Sequence, residues 1–242
     1  MDAAETALNV FDNYIKHIAI DCVIFGFHNN ELKVLLVKIK NLDGCWVLPG
    51  GFIQQSEGVD EALDRMLKDR TGLTNIHLEQ FGIFGDVNRV SRNFILNLIP
   101  SEHHEDTRIN WLAGRVISMG YYALVEYSKV KPKVYEFYDD AFEWFNVNDL
   151  PVLAMDHEKI IQKGLETLRM MLDYKLVGFD LLPETFTMQE LQKLYETILG
   201  KELRRDSFQR KMLDMNILER LEKKYTGAAN KAPYLYRFKD KS

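Results

Sequence analysis

Two cysteines, Cys22 and Cys45, are all that 242 residues supply, too few for the disulfide framework of a small secreted fold. Both lie among apolar neighbours, in IAIDCVIFGF and GCWVLPGG, and read as reduced, packed side chains rather than redox groups. Apolar runs of membrane-spanning length are missing. The N-terminus MDAAETALNVFD lacks the basic-then-apolar order of a signal peptide, so a cytoplasmic protein is expected. Internal repeats and low-complexity segments are missing as well. What the chain does have is 46% hydrophobic and 28% charged residues. That balance is ordinary for a globular protein with a core, at a length that suits two domains or one large one.

The net charge of −5 is unevenly spread. Residues 201–242 hold 12 Lys+Arg against 6 Asp+Glu, and residues 1–200 hold 19 against 30. An acidic body with a basic end points to a polyanion partner for that end, or to a solvated basic surface. Charge alone does not choose between them.

Apolar, β-branched runs at 14–27 and 31–40 read as strands joined by a hairpin turn at His28, Asn29 and Asn30. WVLPGGF (46–52) is a short strand that breaks at Pro49-Gly50-Gly51. Val59, Ala62, Leu63, Met66 and Leu67 recur at helical spacing before Gly72 stops the helix. Strands follow near 76–84, 115–127 and 141–146, then a helix over 156–174 with Asp156 near its N-cap. The long connection between Gly85 and Gly114 is expected to be functional or a helical insertion. This order gives an α+β domain over 1–176, and VGFDLLPETF marks the boundary.

Residues 177–242 form the second expected domain. In TMQELQKLYETILG one face collects Met188, Leu191, Leu194, Tyr195 and Ile198, and Gly200 ends the helix. DSFQRKMLDMN buries Phe208 and Met212 and leaves its cations outside, with Asp206 read as a cap. A basic hairpin closes the chain. Helix, turn, cationic helix and basic hairpin is the order of a winged helix-turn-helix.

The stretch GGFIQQSEGVDEALDRMLKDRTGL (50–73) resembles the Nudix box, G-x5-E-x7-R-E-U-x-E-E-x-G-U with U aliphatic. Gly51, Glu57, Arg65, Leu67, Gly72 and Leu73 stand in register. In the family the three glutamates lie at i, i+3 and i+4 on one helix face and hold Mg²⁺ or Mn²⁺ against a diphosphate. Here those positions are Met66, Asp69 and Arg70, so the trio's formal charge falls from −3 to zero. An arginine stands where a cation should bind. The resemblance therefore implies the Nudix-like α/β/α sandwich without its chemistry: no hydrolysis, no metal and no cofactor.

The likeness extends through GYYALVEY, FTMQELQKLYETILG and the closing APYLYRF to the Nudix-related transcriptional regulators. It spans about 17 to 238 apart from the long connection. In that family a non-hydrolysing Nudix domain senses a small molecule and a winged helix binds DNA. Its members sense ADP-ribose-type nucleotides or pentoses such as arabinose, and the degenerate box is closer to the sugar-responsive branch. The resemblance implies a repressor for carbohydrate utilisation, a homodimer on double-stranded operator DNA and a pentose or nucleotide-derived effector. The competing readings are a divergent Nudix hydrolase using Asp69, Glu57 and glutamates outside the box on a nucleoside diphosphate or nucleotide sugar, and a protein–protein adaptor.

Candidate DNA contacts follow from the cationic helix. Arg205, Ser207 and Gln209 near its start are placed at bases, with Arg204 beside them, and Arg210 and Lys211 at phosphates. Lys223, Lys224, Thr226 and Lys231 suit a wing along the backbone. For the effector, Asp21 interrupts an apolar strand and Arg115 begins another. A charge there needs either an arginine partner inside the fold or a ligand. Lys38, Gly50, Gly51, Asp86, Arg89, Tyr121 and Tyr122 are placed along the cleft that holds substrate in Nudix proteins. SEHHEDT (101–107) reads as a solvated loop, because adjacent histidines rarely converge on one ion.

Overall fold

The computed structural model describes residues 13–39, 45–72, 74, 76–90, 94, 96, 114–131, 139–172, 181–224 and 232–239. Residues 1–12, the loop 101–107, most of the 86–114 connection, the 176/177 boundary and the hairpin tip with Thr226 and Lys231 lie outside that set.

The first domain is built on a mixed sheet whose central member is the long strand β1 (Tyr14–His28). Its second half pairs antiparallel with β2 (Glu31–Ile39) across a turn at Asn29 and Asn30, both at positive φ. Two successive left-handed residues make the hairpin turn whose twist suits β-strands, and asparagine tolerates that conformation. The Trp-Val pair forms β3 (Trp46–Val47). Pro49 then separates it from β4 (Gly50–Gln54), so the single strand expected over 46–52 is two. β4 pairs with the first half of β1. On the other edge of β1, β6 (Ile117–Val125) runs parallel and carries β5 (Leu78–Phe84) outside it. β7 (Asp139–Asn146) closes the sheet against β2.

Alternation along β1 sends its side chains to two separate cores. Ile20, Cys22 and Ile24 pack with Ala62, Leu63, Met66 and Leu67 of α1 (Val59–Thr71). Val23 and Phe25 pack with Ile160, Ile161, Leu165 and Leu168 of α2 (His157–Met171). A helix on each face of the sheet is the expected sandwich. α1 ends where Gly72 turns left-handed at φ 74° and donates to the Lys68 carbonyl.

After residue 180 the chain forms β8 (Phe186–Thr187), α3 (Met188–Leu199), α4 (Arg205–Asp214), β9 (Leu218–Lys223) and β10 (Tyr234–Phe238). Thr187 caps α3 by accepting from the Glu190 amide, and the Glu190 carboxylate accepts from the Thr187 amide in return. β8, β10 and β9 make a small antiparallel sheet. Its core does not stand alone. Phe186, Leu191, Leu194, Tyr195, Ile198, Phe208 and Met212 belong to the same buried cluster as the α2 face of the large sheet. The Arg169 guanidinium also donates to the Ile198 carbonyl at 2.7 Å, and Thr197 to that of Asn30 at 3.1 Å.

Candidate functional site

Gly50 and Gly51 open the loop that leads into α1. A Cβ at Gly50 would lie 2.4 Å from the Ile20 carbonyl oxygen, so only glycine lets β4 approach β1 this closely. The loop is then clamped. Glu57 accepts from the Gln54 amide at 2.8 Å and from both ends of the Arg65 guanidinium, which also reaches the Phe52 carbonyl. The bond from Arg65 holds the Glu57 carboxyl below the usual carboxylate range, and Glu57 in turn holds Arg65 above its ordinary value. This is a bidentate, charge-assisted pair. It preserves the loop shape of the box.

The first of the three positions that would bind metal is packed into the core. Met66 is 4% exposed and packs beneath Gly51 among the α1 core residues. Asp69 is half-buried, and the Arg70 side chain lies outside the described residues. Among the described residues no three His, Cys, Asp or Glu side chains converge to hold an ion.

On the opposite face of the sheet lies a buried polar cluster. Asp21, Arg89, Ser118 and His157 are all buried. Arg89 donates to Asp21 at 2.9 Å and to both oxygens of Asp156, and Ser118 donates to Asp21 at 2.6 Å. Burial pulls the Arg89 pKa down. The Asp156 bonds and the Asp21 charge outweigh that pull and hold it above the ordinary value. His157 accepts at Nδ1 from the Leu48 amide at 2.9 Å, which puts the proton of the neutral ring on Nε2. That nitrogen is buried without a hydrogen-bond partner, 3.6 Å from Asp21 Oδ1. Burial pushes the His157 pKa down; Asp21 and Asp156 oppose the shift, and Arg89 adds to it.

The expected effector residues therefore do not share one wall. Asp21 and Arg89 take each other as partners on the α2 face, so the arginine that satisfies Asp21 is not Arg115. Gly51 and Tyr121 belong to the α1 face, where burial raises the Tyr121 pKa. Tyr122 points the other way and donates to Glu79 at 2.8 Å. Arg115 is exposed and donates to the Gly85 carbonyl. Asp86 is exposed and caps the turn at Asn88, and Lys38 is half-buried at the end of β2. Sequence reasoning took Asp156-His157 for a plain helix start. Asp156 does occupy the N-cap position but makes no side-chain cap bond, because its carboxylate is given to Arg89. The spacing of His157 with Ile160, Ile161, Gly164 and Leu168 is the signal that marked it as inward-facing.

In the second domain α4 buries Phe208 and Met212 and presents Arg205, Ser207, Arg210 and Lys211 to solvent, with Gln209 half-buried. Arg204 is the N-cap and Asp206 sits in the first turn without a cap bond, which corrects the expected capping role of Asp206. An open hollow of about 570 Å³ runs along Ser207, Arg210, Lys211, Asp214 and Met215. In the wing, Lys224 reaches Glu190 at 3.2 Å, and Arg220 and Lys223 lie over the Tyr234 ring. Arg220 had no place in the sequence reading. The β9–β10 register shifts between Tyr234, opposite Lys223, and Tyr236, opposite Arg220, which puts an extra residue in β9; Tyr236 is buried while Tyr234 is exposed.

The family model for the Nudix domain matches residues 15–164, and that for the NrtR DNA-binding winged helix domain matches 178–238. The "ADPR responsive transcriptional repressor NtrR" of Acinetobacter baylyi is 26% identical over 228 residues, 91% of this chain and 81% of its own length. An ADP-ribose pyrophosphatase of Methanocaldococcus jannaschii is 34% identical over 149 residues, 60% of this chain and 70% of its own. Shewanella oneidensis NrtR, solved with a 27mer DNA, superposes with a TM-score of 0.70 at 27% identity, covering 93% of this chain and 94% of that one. None of these descriptions names a pentose, so the expected place in a sugar-responsive branch, with its sugar sensing and carbohydrate utilisation, finds no support. Among the described residues no helix is long and apolar enough to cross a membrane. The chain belongs to the Nudix domain family, and a winged helix of the NrtR DNA-binding type follows its Nudix domain.

Proposed function

We propose that this protein is a DNA-binding transcriptional repressor whose Nudix domain, residues 1–176, binds ADP-ribose without cleaving it, and whose winged helix, residues 177–242, reads the operator. The observation that carries the reading is the exposed cationic face of α4, with Arg205, Ser207, Arg210 and Lys211 standing out from a helix fixed by buried Phe208 and Met212. A recognition helix needs that division between an anchored inner face and a basic outer one. The similarity to regulators described as ADPR responsive and as complexed with DNA supports both partners.

The site that would make the domain an enzyme is occupied by the apolar Met66. A carboxylate there is what positions the divalent cation on a diphosphate, so turnover is lost while the clamped Gly50–Glu57 loop is kept. A second copy of the chain supplies the second reading head, because one winged module contacts too little DNA for useful specificity. ADP-ribose then lowers DNA affinity by changing the spacing of the two heads. By linkage, DNA lowers ADP-ribose affinity by the same factor.

The test is fluorescence anisotropy with a duplex selected on the full chain from a random library, titrated with ADP-ribose. Release of the duplex by intact ADP-ribose, without metal, is the expected result. Magnesium-dependent conversion of ADP-ribose to AMP by the wild-type chain would replace this reading with the hydrolase.

A further inference from the structure

We infer that α2 is the strut through which the reading head responds to the Gly50–Gly51 turn, fastened at its sensor end by Asp156 and His157 and at its far end by Arg169. The inference rests on the reading above, that the Nudix domain binds ADP-ribose, and it adds that the effector seats on that turn.

The sensor end is tied to the turn by two routes. His157 Nδ1 takes the amide of Leu48, two residues before Gly50, and the Ala154 amide bonds the Trp46 carbonyl. Independently, Asp21 lies opposite Gly50 in the β1–β4 register, and Arg89 joins Asp21 to Asp156. A displacement of the turn is therefore felt at the first residue of α2, through both the strand that leads into it and the strand that faces it.

The body of α2 has little freedom to absorb such a displacement. Ile160, Ile161 and Leu168 are 0–1% exposed, and a Cβ at Gly164 would lie 3.4 Å from both Val23 and Phe81. Close-packed interiors transmit strain rather than damp it. At about 1.5 Å per residue the fifteen residues of α2 span about 22 Å. At the far end Arg169 donates to the Ile198 carbonyl at 2.7 Å, and the Tyr195 hydroxyl donates to that of Leu172 at 3.3 Å. Ile198 and Tyr195 share their core with Phe208 and Met212, the inner face of α4. The path thus ends under the helix that presents Arg205 and Arg210.

Coupling needs an element with two arrangements, and His157 supplies it. Its Nε2–H lies 3.6 Å from Asp21 Oδ1, just beyond bonding range, while Oδ2 of the same carboxylate already serves Arg89 and Ser118. An unmade buried bond is costly. A shift of well under 1 Å between β1 and α2 would make it, by the usual donor–acceptor range. The two arrangements differ in the position of the Gly50 turn relative to α2, and a ligand on the turn that favours one of them biases the head.

The quantity to measure is the ratio of DNA dissociation constants with and without saturating ADP-ribose, on the selected duplex. For the wild-type chain a factor of about 10 or more is expected, within the usual range of allosteric coupling. His157→Gln, Asp156→Asn and Arg169→Met should each bring it to within about twofold of one, with both separate affinities held within about threefold. Gln162→Ala, on the exposed face of the same helix, should keep the wild-type factor. Full coupling in folded Arg169→Met or His157→Gln would overturn the strut. If His157→Gln loses its cooperative melt, Arg169→Met decides, being remote from the buried cluster. A wild-type factor of one overturns the effector reading itself and the strut with it, and no variant is needed to see that outcome.

Discussion

Met66 lies directly beneath Gly51: a Cβ at 51 would sit 3.4 Å from the Met66 methyl carbon. The position that carries a metal-binding glutamate in the Nudix box is thus a packing position here. Met66→Ala should cost about 2–5 kcal/mol, the usual range for emptying a buried methionine site, whereas Met66→Leu should cost less than about 1.5 kcal/mol. Met66→Glu alone should destabilise the fold without conferring turnover, since a carboxylate would enter an apolar core with no partner. Urea unfolding of the three variants separates these outcomes. Wild-type stability in Met66→Ala would mean the site is solvent-filled.

Gly50 admits no side chain. Its Cβ would meet the Ile20 carbonyl at 2.4 Å, and that atom is backbone rather than the end of a flexible side chain. Gly50→Ala should therefore push β4 off β1, lower the melting temperature and abolish ADP-ribose binding. Gly51→Ala meets only the mobile end of Met66 at 3.4 Å and should be the milder of the two. A calorimetric titration that ranks them the other way would contradict the geometry.

How much of this was legible depended on whether a signal was local. The hairpin at Asn29-Asn30, the α1 period ending at Gly72 and the apolar face of α3 ending at Gly200 are short-range patterns, and each appears as an element of the fold. The degenerate box was equally readable, because it is a matter of which residue stands at 66. Asp21 and Arg89 were each singled out, but their pairing spans 68 residues and no periodicity encodes it. Asp156 and His157 were passed over for a related reason. A polar pair at a helix start is ordinary, and only the sheet packed against α2 turns it into a buried junction. The cation–π contact of Arg220 likewise depends on how β9 pairs with β10, and sequence alternation does not announce the register shift between them.

His157 gives the protein a one-sided pH dependence. Its folded pKa is pushed below the ordinary 6.5, chiefly by burial, so the unfolded chain binds this proton more readily than the folded one. The contribution is fully present above pH 6.5. It is lost as the pH falls from there toward the folded value, with a slope of up to about 1.4 kcal/mol per pH unit. Asp21, Arg89 and Asp156 are the charged groups that face the ring. Protonation at Nδ1 would also displace the Leu48 amide and disturb the strand leading into Gly50. Urea midpoints between pH 5 and 8 should fall on the acid side in the wild type and flatten there in His157→Gln. Equal acid slopes in the two would assign the loss to other groups.

The exposed cations of the second domain should divide by the salt dependence of DNA binding. Each phosphate contact contributes about −0.9 to the slope of log K against log salt. Arg210→Gln and Lys211→Gln are expected to reduce the slope by about one each and to weaken related and unrelated duplexes alike. Arg205→Gln, at the first turn of α4, should instead cost about 1–3 kcal/mol on the selected duplex and relax discrimination at one position. Phe208→Ala supplies the contrast. It removes a ring that meets Tyr195 at 5.2 Å between centroids inside the shared core, so it should abolish DNA binding at every salt concentration by unseating α4. If Arg205→Gln altered only the slope, the first turn of α4 would be lying on the backbone, and base reading would pass to Ser207 and Gln209.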